Sequence, residues 1–214
     1  MVLLLTNIRK RKLLVLLPVL GSGIFVPLMC WYYCVHFTDT PDEIIKNALI
    51  LMHTCIPMLV TWWIILLYHD FFSWEGNELL YYYYSQRALV KQYVIVLLVY
   101  GLMETAVFAV VESMVDMPYF ILGQLLAETM CVAAMVYFFA FLLLNTGGCL
   151  LVSIGYCVYI NMFDTLNLFG FMSIFPRPEE FLVWNGGRVR NTLVAAAVLH
   201  AVGLVCMKFR RRYK

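Results

Sequence analysis

Glu104, Glu128 and Asp164 lie in stretches of the chain that are otherwise almost free of charge, and His53 and His200 stand in similar surroundings. An ionised carboxylate at the centre of a membrane-spanning helix costs about 2.5–3.5 kcal/mol or more. Such a group is therefore kept neutral, paired or put to use. Glu104 and Glu128 fall close to the middle of consecutive antiparallel spans, and Asp164 falls nearer the outer third of the fifth. Three kinds of chemistry fit this pattern. The carboxyls form a relay for protons or cations, or hydrogen-bonding glue between helices, or a polar patch lining a substrate path. His53, in the outer part of the second span, and His200, near the middle of the sixth, join the same candidate path or buried network.

Several other chemistries are excluded by pattern. There is no His-x-x-x-His, Cys-x-x-Cys or His-Glu-x-x-His arrangement. Cys30 and Cys34, one helical turn apart, supply only two soft ligands, so no metal centre is expected and the histidines read as packed side chains. A phosphate-cradling G-x-x-x-x-G-K-[ST] loop is missing, so the chain itself binds no nucleotide in the usual way. No G-x-S-x-G elbow occurs, and no nucleophile, base and orienting group meet at one depth of neighbouring spans. The chain is not expected to be an enzyme on its own, and no catalytic residue is assigned.

The elements that hold these residues follow from composition. Of 214 residues, 64% are hydrophobic and 13% charged, against about 25% charged in an average soluble chain. That is more apolar surface than a water-soluble core hides, so the expected class is an all-α integral membrane protein. The formal net charge of +2 is too balanced for a nucleic-acid binder, and the seven cysteines sit inside apolar runs without paired spacing across loops. A spanning helix needs about 20 mostly apolar residues, and charge-free runs and breakers then mark six: 13–37, 47–68, 92–111, 117–144, 149–175 and 191–207. The first follows the basic run Arg9 to Lys12 but is too long for a signal peptide. Asn145-Thr146-Gly147-Gly148 divides the fourth from the fifth. In the sixth, Ala197 and Ala201 form a small-residue pair that favours close helix packing.

Six spans put both termini on one side. That side carries eleven of the fifteen basic residues (Arg9, Lys10, Arg11, Lys12, Arg87, Lys91, Lys208, Arg210, Arg211, Arg212 and Lys214), against four on the other (Lys46, Arg177, Arg188 and Arg190). Both termini are therefore expected in the cytoplasm. The whole chain, 1–214, reads as one transmembrane domain in the bilayer, with two further segments. Residues 70–91 are cytoplasmic and mix Trp74 and four tyrosines with Glu75, Glu78, Arg87 and Lys91, as an interfacial helix or a docking surface does. Residues 173–190 are external. Pro176 and Pro178 end the fifth helix there, and Phe181 to Trp184 form a short helical element that is either an anchor in the interface or a lid.

The run Glu75-Gly76-Asn77-Glu78-Leu79-Leu80, followed by Ser85-Gln86-Arg87 and Lys91, resembles the segment between spans two and three in permease subunits of the type-2 ATP-binding-cassette exporter family. The six-span layout and the proline-bearing external element extend the resemblance over nearly the whole chain. It implies a coupling helix, with Trp74, Glu75, Gly76, Asn77, Glu78, Leu79 and Arg87 binding a separate cytoplasmic ATPase subunit. ATP and Mg belong to that partner, and this chain binds no cofactor. It also implies a second permease, either another copy or a similar chain, and outward movement of a peptide, antibiotic or lipid-like substrate. A multi-pass protein of a bacterial plasma membrane is the expected setting. Two other functions stay open: a secondary proton- or cation-coupled transporter or channel using Glu104 and Glu128, and a membrane scaffold that transports nothing.

Overall fold

The computed structural model describes residues 12–36, 40–73, 85–143, 145–163 and 185–212. Every regular element among them is helical: α1 (Lys12–Leu20), a π-helical segment (Gly21–Phe25), α2 (Val26–His36), α3 (Pro41–Ser73), α4 (Gln86–Glu112), α5 (Phe120–Leu143), α6 (Thr146–Phe163) and α7 (Gly186–Arg212). Among the described residues five stretches are long and apolar enough to cross a membrane, namely Leu13–His36, Asp42–His69, Gln86–Glu112, Phe120–Leu143 and Gly186–Phe209.

Capping chemistry extends four of these helices beyond their expected apolar limits. α3 begins at Pro41 because proline is pre-set for the first helical position. The Glu43 carboxylate accepts from the Thr40 backbone N–H at 3.4 Å, half of a capping box. Asp42 and Glu43, expected in a loop, sit in the first turn instead, where the helix dipole favours them. Ser85 caps α4 by accepting from the Ala88 N–H at 3.2 Å, so that helix starts six residues before the expected 92. Asn145 and Asn185 cap α6 and α7 in the same way, the first accepting from the Gly147 N–H at 2.9 Å and the second from the Arg188 N–H at 3.0 Å. Gly147, Gly148, Gly186 and Gly187 therefore belong to first helical turns and do not separate elements.

The first span is interrupted, where a single helix is expected over 13–37. Pro18 lacks the N–H that would bond to the Leu14 carbonyl. That carbonyl accepts instead from the Trp62 indole N–H at 2.9 Å, and the neighbouring Val15 carbonyl accepts from Trp63 at 2.8 Å. These two bonds tie α1 to α3. Beyond Pro18 the π-helical turn closes with the Val26 N–H bonded to the Gly21 carbonyl, and Pro27 follows within the first turn of α2. The fully buried Ser22 hydroxyl donates to the Pro18 carbonyl at 2.6 Å. Pro18, Gly21, Gly23 and Pro27 are the sequence signals of this break.

Contacts between side chains give the direction of each helix. Trp62 meets Leu14 and Leu59 meets Gly21, so α1 and α3 are antiparallel. Tyr93 pairs with Tyr137 and Thr129 with Glu104, so α4 and α5 are antiparallel as well. His53 lies against Glu128 and Tyr68 against Tyr137, which makes α3 and α5 parallel. Gly203 lies against Tyr137, which also bonds to Met207, and Arg188 lies near Glu128. α7 therefore also runs parallel to α5, and the chain has to return along the bundle between Leu143 and Gly186. α6, with 18 residues or about 27 Å of helix, makes that return as far as Phe163. The expected end of the fifth span and the external element lie outside the described residues up to Trp184.

α5 is the core helix. Ile121, Leu125, Val132, Ala133, Ala134 and Phe141 are fully or almost fully buried. Against it α7 makes the closest approach, through a face other than the expected one. Ala197 and Ala201 are exposed, while Thr192, Ala196, Gly203 and Met207 are buried. A Cβ on Gly203 would lie 2.6 Å from Tyr137 Cδ1 and 3.3 Å from the Phe138 backbone. Gly203→Val is therefore expected to push α7 off α5 and cost about 1–3 kcal/mol, whereas Ala201→Val is expected to cost little. Thermal unfolding in detergent, followed by labelling of the buried Cys131 and Cys149, measures the difference. Equal midpoints for the two variants would place Gly203 away from the helix contact.

Candidate functional site

Two polar features share the bundle, and they occupy opposite halves. Toward the end where α3, α5 and α7 begin, α3, α4 and α5 bring together His53, Glu104, Glu128 and Thr129. Toward the other end, Tyr68, Tyr93, Tyr137 and Phe141 pack edge-on or tilted with ring centroids 4.7–5.9 Å apart, with His200 at their edge.

In the first half, His53 Nδ1 lies 2.6 Å from Glu128 Oε2, and both side chains are buried, at 1% and 2% exposure. At that distance an imidazole nitrogen and a carboxyl oxygen are hydrogen-bonded, a contact that replaces water for both groups. Helix α3 positions His53 one turn before Pro57, which cannot supply an N–H to the His53 carbonyl. At the same level the Tyr100 hydroxyl donates to the Ile56 carbonyl at 2.6 Å, fastening α4 to α3 beside the proline. Glu128 also lies within electrostatic range of Arg188, in the first turn of α7. Gln124, Ala127, Glu128, Arg188, Val189 and Thr192 line a cavity of about 10 Å³, enough for roughly one water molecule.

Glu104 is fully buried, and its Oε1 accepts from the Thr129 hydroxyl at 3.0 Å. Its Oε2 has no hydrogen-bond partner among the described residues. It lies within electrostatic range of Glu128, so the two glutamates expected in one polar network do share a layer. They reach different partners. Glu128 is held by His53 across 75 positions of sequence, while Glu104 is held by the residue that follows Glu128.

Both histidines, expected as packed side chains of a path or buried polar network, have hydrogen-bond partners. His53 belongs to the Glu128 pair. His200 Nδ1 donates to the Ala196 carbonyl at 2.8 Å, so its Nε2 is the acceptor for the Tyr93 hydroxyl at 2.6 Å. His200 thus belongs to the aromatic half and is separate from the carboxyl layer. Asp164 lies outside the described residues, as do Trp74, Glu75, Gly76, Asn77, Glu78 and Leu79. Arg87, expected in the coupling segment, is an exposed second residue of α4, because the Ser85 cap starts that helix ahead of it.

Sequence reading missed Thr129, Tyr100, Gln124, Tyr93 and Arg188. Some of them carry a signal. Gln124 and Glu128 are one turn apart, and Tyr93, Tyr100 and Glu104 repeat at i, i+7 and i+11 along the buried face of α4. Arg188 follows the Asn-Gly-Gly cap of α7, a placement that marks a helix start but not its reach toward Glu128.

The chain matches no protein-family model, no curated protein and no solved structure. The arrangement itself defines what is chemically possible. A histidine–carboxyl pair and a second carboxyl with an unmet oxygen, sealed from water, can hold or move a proton or accept a donor from a ligand. Because the pair is buried, replacing one partner strands the other. His53→Leu and Glu128→Leu are each expected to destabilise the bundle by more than their combination implies, with a coupling energy of about 1.5 kcal/mol or more. A double-mutant cycle in mixed detergent micelles measures it, and strictly additive losses would mean that the two groups do not act as a pair.

Proposed function

We propose that the chain is the membrane-spanning permease subunit of an ATP-driven exporter, working in a bacterial cell membrane beside a separate ATP-binding-cassette ATPase and a second permease. The observation that carries this reading is the framing of residues 74–84. α3 continues through its apolar part to Ser73, and α4 begins again under the Ser85 cap. The run containing Glu75, Gly76, Asn77, Glu78 and Leu79 falls in sequence between the end of α3 and the start of α4. Lys12, Lys91 and Lys208 belong to the same end of the bundle, and the positive charge of that end supports a cytoplasmic side for it.

A segment tied at both ends to spanning helices can transmit motion from a soluble partner into the membrane. Trp74 and the tyrosines supply rigid contact area at small entropic cost. Glu75, Glu78 and Arg87 supply rim charges that fix the docking register. When the partner hydrolyses ATP with its Mg, α3 and α4 move as levers, and two six-span permeases rock to open a path outward. In this orientation the carboxyl layer lies in the outer half of the bundle and the aromatic cluster in the inner half.

A second reading, proton- or cation-coupled transport without an ATPase, is favoured by the 2.6 Å His53–Glu128 contact and by its proximity to Glu104. The two readings separate cleanly, because the second predicts gradient-driven flux in proteoliposomes that hold this chain alone.

Glu78→Lys reverses a charge on the coupling segment without touching the described core. It is expected to reduce both substrate-stimulated ATP hydrolysis and transport at least ~10-fold, the scale of one lost charge-assisted contact, while thermal unfolding of the permease stays unchanged. Hydrolysis and transport retained at wild-type levels in that variant would remove the coupling assignment.

A further inference from the structure

From the unequal environments of the two membrane glutamates we infer that Glu104 is the substrate-recognising carboxyl, and that the substrate class is an amphiphilic amine: an apolar molecule or peptide carrying a primary or secondary amino group. This rests on the exporter reading and names what that exporter moves.

Glu128 is already occupied. Its Oε2 is 2.6 Å from His53 and it lies within range of Arg188. Glu104, with no exposed surface, has one oxygen bonded to Thr129 and the other unmatched among the described residues. A native interior seldom leaves a polar atom in that condition, and an exception calls for a ligand or a functional explanation. Thr129 is the one hydrogen-bond donor to Glu104 among the described residues, and in so apolar a bundle an isolated buried carboxylate is a more costly form than the neutral acid.

The surroundings of Glu104 suit an amine better than a metal ion or an anion. Its carboxyl offers one unmatched oxygen, which is too few donors for a metal cage and the wrong sign for an anion. The Tyr100 hydroxyl lies within electrostatic range of Glu104 and within hydrogen-bonding range of Ser22, which brings two hydroxyl oxygens near the same layer. Trp63 packs edge-on against the Tyr100 ring at 5.5 Å, adding aromatic surface of the kind that attracts an ammonium group. The first span packs near this layer through its π-helical turn. Ser22, within the π-helical turn of the first span, lies 3.6 Å from the sulfur of Met103, the residue next to Glu104. A break flanked by Pro18 and Pro27 can open there without unwinding a continuous helix.

The binding step balances without an external reactant. A neutral amine entering through the bilayer takes the proton from Glu104 Oε2; the O–H bond breaks and an N–H bond forms. What remains is an ammonium–carboxylate pair, with Thr129 still bonded to Oε1. When the path opens to water the ammonium is hydrated and released, and Glu104 takes up a proton again.

The test uses the purified full-length chain in lipid nanodiscs, titrated with dodecylamine and with dodecanol as an uncharged probe of the same length, and read by tryptophan fluorescence. The wild type is expected to bind the amine at least tenfold more tightly than the alcohol. Glu104→Gln, which keeps an acceptor for Thr129, is expected to bind both alike, and Glu104→Asp to retain a preference for the amine. Equal affinities for the two probes in the wild type, or an unchanged preference in Glu104→Gln, would overturn the assignment. The measurement needs no ATPase, so its failure leaves the exporter reading to be judged separately by coupling to ATP hydrolysis.

Discussion

A hydrocarbon solvent makes no hydrogen bonds, so a polar group that this chain carries into the membrane is costly unless it finds a partner inside the bundle. The proline-released carbonyl of Leu14 is taken by Trp62. The hydroxyls of Thr105 and Ser153 fold back onto carbonyls of their own helices, at Gly101 and Cys149. His53 and Glu128 satisfy each other across two helices. These local solutions also decide the architecture, because most of them are made between helices and so fix which faces meet. The tie from Trp62 and Trp63 to the first span, from Tyr100 to Ile56, and from Thr129 to Glu104 hold α1, α3, α4 and α5 in register.

The same constraint explains which parts of the fold can be read from sequence. Charge-free runs show where helices cross, since charge is what the bilayer rejects, and the long apolar stretches of α3, α4, α5 and α7 follow directly. Helix ends are read less well. Thr40, Ser85, Asn145 and Asn185 extend helices into polar residues that hydropathy alone leaves outside. Helix faces are read poorly, and Ala197 and Ala201 illustrate why. Lipid and protein core are equally apolar, so a stripe of small residues does not tell which side packs. On α7 the buried side is the one with Ala196 and Gly203.

The candidate site was readable in its members more than in its pairings. Glu104, Glu128 and His53 stand out because each is out of place in a membrane. Their partners do not stand out. Thr129, Tyr100 and Arg188 are ordinary residues for their positions, and only the folding of α3, α4, α5 and α7 together brings them to the glutamates. The result is an asymmetric pair of carboxyls: one satisfied by a histidine, the other left with capacity. That asymmetry lies in one half of the bundle, and a set of edge-on and tilted aromatic rings fills the other, near the end of α3 and the start of α4.

The most direct test of the account is purification of the tagged chain from its native membranes in mild detergent, with quantitative mass spectrometry of what comes with it. The exporter account predicts a soluble ATP-binding-cassette ATPase in near-equal amount to the permease. Recovery of the chain without any ATPase, under conditions that keep other permease complexes together, would contradict it.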